Sequence, residues 1–467
     1  MPDSPQPSVW RHAFTGLNPR VRDGLTVHSR RSMLKTSVAG LAGLSLPGLL
    51  EARAAATASG KSLPGNKSVI LLWMTGGPSH IDTLDPKPDA PSNIRGPFGT
   101  IPTKLPGVHI CEHLPKYAAM LDKMTIIRSV VCKGSSHQPN HVMQTADYDA
   151  APRRNPKGRL CPAIASIVAK HHGANDPQMP PYVALNVIDK SHIAWGGHLG
   201  KQYDPFIGDE AAKILKLPVG LTMDRVQSRQ SLLGQMDKLR AGLDLGGSMD
   251  GLDEFSQQAF EMVAGGKAQS AFDLKKESKK TLEAYGDHDW CKQALLARRL
   301  VEAGSSFVTI DLSNHRSSGT WDNHGIPGGV YGGISKGLKP LLPVFDRLLT
   351  TLVGDLEDRG MLDDVLVLAM GEFGRSPTLG TQGSVDGRNH WPVVMSMTMA
   401  GGGFRHGQVI GSTEKDGSDV KSRAVTPGDL AATIYHHFGI PQNTHYKNFT
   451  GRPIFAVQHG KPIAELV

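Results

Sequence analysis

Four separate stretches of the chain gather carboxylates, imidazoles and guanidinium groups beside glycines. MTGGPSHIDTLDPKP holds His80, Asp82 and Asp85, and KGSSHQPNH holds Ser135, Ser136, His137 and His141. SNHRSSGTWDNHG supplies His315, Asp322 and His324. GEFGRSP and the later VDGRNHWP supply Glu372, Arg375, Asp386, Arg388 and His390. Imidazoles mixed with carboxylates suit zinc or manganese better than magnesium, which prefers oxygen ligands and water. Arginines beside them suit the bidentate binding of phosphate or sulfate. Together these residue types point to Lewis-acid hydrolysis of a charged ester. Each cluster alone has a plainer reading, as a tight turn or a helix cap. All four at equivalent places in the chain are what mark a site.

Those places are the ends of apolar runs. Ser68–Trp73, Met124–Cys132, Ser306–Leu312 and Val365–Met370 each read as a buried strand and each runs into one cluster. Tyr182–Val187 and Val393–Met399 read as further strands, and helical patterns at Leu338–Leu362 and Ala294–Gly304 lie between them. Buried strands alternating with helices predict an α/β domain with a mostly parallel sheet. In such sheets ligands bind outside the carboxyl ends of the strands. The run VLVLAM shows the point, because it ends in Glu372 and Arg375 between two glycines. A plain turn would be served by Asn or Asp with Gly. Residues from about 223 to 302 are helical in pattern and read as an insertion or flank. His171-His172 and His436-His437 lack neighbouring carboxylates and read as structural, while His198 sits in a glycine-rich loop near the expected pocket.

The amino terminus has another use. SRRSMLK, at Ser29 to Lys35, precedes the weakly apolar stretch Thr36–Leu50 and then EARAAA. This pattern predicts a cleaved twin-arginine export signal over residues 1–56 and a periplasmic or secreted protein of residues 57–467. Fifteen residues rich in Gly, Ala and Ser are too short for a stable span, so no membrane anchor is expected after cleavage. The formal charge is +8. No Lys/Arg block interleaved with aromatics follows, which disfavours nucleic acid as a partner. The four cysteines form no CxxC pair and no zinc-ribbon spacing.

With the export signal, the motifs WMTGGPSHIDTLDPKP, WDNHG, MGEFGRSP, GRNHWP and VTPGDLAATIYHHFGIP resemble an exported bacterial domain-of-unknown-function family (fifteen-oh-one) of the alkaline phosphatase/sulfatase superfamily. The resemblance covers nearly the whole chain after the signal. It implies a three-layer α/β/α sandwich, alkaline phosphatase-like, with the site at the sheet's carboxyl edge. It also implies Asp82, Asp322, His324, Glu372 and His390 as metal ligands, and Arg375 as the neighbour of an anion. Phe373 stands where the superfamily has a ligating His, which favours one ion over two. Zinc or manganese is favoured, with calcium compatible. For the nucleophile the superfamily pattern leaves Ser135 and Ser136, with His137 or His141 as ligand, acid/base or nucleophile. A formylglycine sulfatase is not expected, because neither Cys132-Lys133-Gly134 nor Cys161-Pro162-Ala163 fits its Cys-x-Pro-x-Arg segment. The reaction so implied is hydrolysis of a phosphate or sulfate ester, on an anionic small molecule or glycan. The alternative is a non-catalytic exported protein that binds an anionic glycan or a protein partner in the same crevice.

Overall fold

The structure is a computed structural model. It describes residues 66–134, 137, 139–150, 160–211, 215, 261–262, 265–315, 319–326, 332–380 and 383–467, with the backbone of Val21–Arg22 and Leu25–Thr26. The export signal, Ser135 and Ser136 lie outside the described residues, apart from that short ladder. Pro64–Val467 forms one compact unit, and Met1–Leu63 is a separate one.

The larger unit is built on eight strands: β1 Ser68–Trp73, β2 Met124–Val130, β3 Tyr182–Leu185, β4 Phe206–Ile207, β5 Phe307–Asp311, β6 Val365–Met370, β7 Met395–Gly401 and β8 Gln408–Ile410. They lie side by side in the order β8-β2-β7-β6-β1-β5-β3-β4. Every pairing is parallel except those of β7, which runs antiparallel to both β6 and β2. The apolar runs predict six of these strands, to within a few residues. The edge strands β4 and β8 are two and three residues long and leave too little pattern to read.

All six residues of β1 are buried, and they serve two different layers. Ile70 and Leu72 pack with Leu295 and Leu300 of α2 (Asp289–Ala303) and Leu348 and Leu352 of α3 (Lys339–Asp358). Val69, Leu71 and Trp73 face the other way, with Ile167 of α1 (Ile164–His171) and Leu430 and Ile434 of α4 (Pro427–His437). Side chains alternate across a strand, so a run with no polar face needs cover on both sides. The result is the three-layer α/β/α sandwich. The helix α2, read from sequence as a helix between strands over Ala294–Gly304 and overlapping the end of the stretch read as an insertion, packs in the sandwich and leads through a left-handed Gly304 into β5. Lys267–Phe272 and Lys279–Tyr285 are also helical, while residues 216–260 lie outside the described ones. Among the described residues no helix is long and apolar enough to cross a membrane. All four cysteines are unpaired.

Candidate metal centre

The loops leaving β1 and β6 interlock. These strands pair in parallel with Trp73 beside Met370, so both loops leave the same edge. The Gly76 N–H donates to Glu372 Oε1 at 3.0 Å. Gly76 has φ +103°, and a Cβ there would lie 2.5 Å from the backbone N of Asp322, so glycine alone fits. In return Arg375 donates from Nε to the Gly77 carbonyl at 2.8 Å and from Nη2 to the Gly76 carbonyl. A two-residue ladder, Gly374–Arg375 against His390–Trp391, sets the His390 backbone opposite Arg375. Gly387 approaches the His324 carbonyl so closely that any Cβ would overlap it. The paired glycines and the glycine before Arg388 are thus what bring the clusters into contact.

Asp322 is the hub. Its Oδ1 lies 2.5 Å from Arg375 Nη2, 2.9 Å from His324 Nε2 and 3.2 Å from His390 Nε2. Its Oδ2 lies 3.3 Å from His137 Nε2. The two nitrogens His324 Nε2 and His390 Nε2 are themselves 2.9 Å apart. Ligating atoms of His137, Asp322 and His390 all fall within 4.8 Å of one another. Ligands of a tetrahedral ion with bonds of ~2.0–2.1 Å stand roughly 3.3 Å apart. His137, Asp322 and His390 are thus a candidate set for one divalent ion, with His324 Nε2 beside Asp322 and His390. Two buried polar atoms beside it have no hydrogen-bond partner among the described residues, Glu372 Oε2 and His324 Nδ1. The Phe373 ring, 4.6 Å from that of His390 and 5.5 Å from that of His137, walls the cluster.

The charges are divided unevenly. Burial pushes the Asp322 carboxyl up, but the Arg375 guanidinium and the bonds to His137, His324 and His390 hold it well below the usual carboxylate range. Burial keeps His390 neutral, with a pKa near about 4, and Arg375 adds to the effect against the pull of Asp322. Burial would lower His137 as well, yet its bonds to Asp322 and Glu372 raise it to about 9. That second bond joins His137 Nδ1 to Glu372 Oε1 at 2.6 Å and leaves Nε2 facing Asp322. A carboxylate holding the far nitrogen of an imidazole is the usual support for a metal-ligating histidine.

Of the residues expected as ligands, Asp322, His324 and His390 come together, with Glu372 behind His137. Asp82 does not join them. Its two oxygens take the Arg388 fork at 2.6 and 3.1 Å, and Ser79 Oγ donates to it at 2.5 Å, in fully enclosed surroundings. His137 sits in the cluster. His141 turns instead toward the Ser191 carbonyl at 3.2 Å, on the helix Pro139–Thr145. The anion clamp expected of Arg375 is corrected by its burial: the side chain is 0% exposed, and its donors are taken by Gly76, Gly77, Arg388 and Asp322. Its ion-pair partner is Asp322, not the sequence neighbour Glu372.

The family resemblance left Asp311 with His315 as a second choice of metal ligands, but the imidazole that Asp311 meets is His192, which sequence reasoning missed. Asp311, the last residue of β5, is fully buried and accepts from Thr75 Oγ1 at 2.6 Å, while its other oxygen lies 2.8 Å from His192 Nδ1. The signal was present. His192 follows the strand β3 as the other clusters follow theirs, in the stretch NVIDKSH, which the strand-end reading passed over.

Among curated proteins no match is found. Solved structures with which the chain can be superposed include the PsFucS1 sulfatase from Pseudoalteromonas sp., at 14% identity and a TM-score of 0.38, covering 89% of this chain and 73% of that one. Another is the lipoteichoic acid synthase LtaP from Listeria monocytogenes, at 11% identity and a TM-score of 0.36, covering 86% and 76%. The phosphonate monoester hydrolase SpPMH from Silicibacter pomeroyi superposes at 12% identity and a TM-score of 0.30, covering 75% and 71%. Similarity this low speaks to neither site nor substrate. The match that decides membership is of sequence, over residues 66–467: the chain belongs to the family described as protein of unknown function (DUF1501).

Proposed function

We propose that the chain is a metal-dependent hydrolase of a phosphate or sulfate ester, exported by the twin-arginine route. The observation that carries the metal is the convergence of His324 Nε2, His390 Nε2 and Asp322 Oδ1 at mutual distances of 2.9, 2.9 and 3.2 Å, with His137 on the other oxygen. His137, Asp322, His324 and His390 would hold the ion, with Glu372 orienting His137. The mixed nitrogen and oxygen donors favour zinc or manganese. A divalent ion held there supplies Lewis-acid polarisation of a bound ester oxygen. Arg375 keeps Asp322 ionised, and Phe373 shields one side from water.

A second reading, an exported protein that binds an anionic glycan or partner without turnover, draws on Phe373 standing at a ligand position. Metal analysis of the purified mature protein, followed by a panel of phosphate and sulfate esters with added zinc or manganese, separates the two. About one bound ion per chain and metal-dependent turnover are expected. Absence of both bound metal and turnover would leave the binding reading in place.

A further inference from the structure

The pair His192–Asp311 lies outside the metal cluster but is tied to it. Asp311 of β5 stands in register with Trp73 of β1, and Trp73 with Met370 of β6. The loop after Trp73 therefore runs between two buried carboxylates. Thr75 Oγ1 donates to Asp311, and the next residue, Gly76, donates its N–H to Glu372. Adjacent Cα atoms are ~3.8 Å apart, so the two carboxylates have anchors one residue apart. Each carboxylate holds one imidazole by Nδ1: Glu372 holds His137 at 2.6 Å and Asp311 holds His192 at 2.8 Å.

The backbone of His192 is fixed from the same side. The helix Pro139–Thr145, which begins two residues after His137, carries Gln144. Gln144 Nε2 donates to the His192 carbonyl at 2.8 Å, and its Oε1 accepts from the Ala194 N–H at 3.0 Å. His141, on the same helix, reaches the Ser191 carbonyl. The His192 side chain keeps 16% of its surface open to solvent, whereas that of Asp311 has none. With Nδ1 committed to Asp311, its Nε2 makes no hydrogen bond among the described residues and is the atom open to a ligand.

We infer that His192, held by Asp311, is the general acid that protonates the leaving group of the ester. This role rests on the hydrolase reading above. The bond from phosphorus or sulfur to the leaving oxygen breaks, and its electron pair stays on that oxygen. That oxygen takes the Nε2 proton and departs as an alcohol. The oxygen of a water molecule makes the new bond to phosphorus or sulfur, and a proton released from that water restores the imidazolium. Burial alone would lower His192, but its bond to Asp311 and the charges of Asp311, Asp189 and Glu372 raise it, which keeps a proton on Nε2 nearer neutrality. Asp311 and Thr75 are positioning residues for this acid. A general acid matters most when the leaving group is a poor one.

The test compares an alkyl ester with a para-nitrophenyl ester of the same acid, on wild type, His192→Gln and Asp311→Asn, with metal content and melting temperature measured alongside. His192→Gln is expected to lower kcat/KM on the alkyl ester by roughly 10²–10⁴-fold and on the nitrophenyl ester by less than about 10-fold, with metal retained. Asp311→Asn should show the same leaving-group bias in a milder form. Equal loss on both esters in folded His192→Gln, or loss of its metal, overturns the acid role alone. If His192→Gln does not fold, the bias in Asp311→Asn decides. A metal-loaded wild type inactive on both esters overturns the hydrolase reading, and this role with it.

Discussion

His137 spans two carboxylates, with Nδ1 2.6 Å from Glu372 Oε1 and Nε2 3.3 Å from Asp322 Oδ2. Glu372 is 0% exposed and takes the Gly76 N–H on the same oxygen, so it cannot swing away without stranding a backbone donor. This arrangement gives the glutamate that closes the apolar run of β6 a task, which is to fix the His137 ring; in the proposed metal centre it would be the support of a ligand.

Glu372→Gln should therefore weaken metal binding by roughly 10–100-fold while leaving a folded protein. Competition with a chelating dye reads the change. Complete loss of the ion would instead place Glu372 among the ligands, through the oxygen that has no partner among the described residues.

Metal binding should be linked to pH through His137. Its imidazole must lose the Nε2 proton to ligate, and that proton is held up to about pH 9. Apparent affinity should rise about tenfold per pH unit toward 9 and then level off, with one proton released per ion bound. The metal-free protein should show the opposite trend. A histidine pKa raised above its unfolded value stabilises the fold fully below about pH 6.5, and this contribution is lost as pH rises through about 9. Its size is on the order of 3 kcal/mol at most. Melting curves between pH 6 and 10, with and without zinc, test both signs.

Arg375→Lys should destabilise the metal-free protein by roughly 3–5 kcal/mol, although the charge is kept. A lysine cannot reproduce the fork that binds Gly76, Gly77 and Asp322 together, and the carbonyls of the interlocked loops would lose their donors. Chemical denaturation measures the effect. A variant as stable as wild type would return Arg375 to the role of an anion clamp.

Export is tested in cells. Arg30→Lys combined with Arg31→Lys should leave the precursor in the cytoplasm, because the receptor reads the guanidinium pair. Normal fractionation of the double variant would mean that SRRSMLK is not a twin-arginine signal.

Local pattern alone determined an α/β domain with a mostly parallel sheet and the edge at which its chemistry gathers; the three-layer sandwich was what the family resemblance implied. Runs such as SVILLW and VLVLAM have no polar face, so they must be covered on both sides, and their polar followers must emerge at one edge. That much placed Asp322, His324, Glu372 and His390 in a common region, since side chains leaving parallel neighbours have no other direction to take. What the sequence could not express is which charge meets which. Asp82 and Asp322 each follow a strand and each have an arginine to claim, yet the partners are 306 and 53 residues away in the chain. His192 meets Asp311 across 119 residues, and His137 meets Glu372 across 235. Such pairings depend on strand order and on how close two loops can come, and tertiary contact at Gly76 and Gly387 sets that closeness. Local spacing carries no record of either, because the energy of a buried ion pair depends on distances that exist only once the sheet has formed.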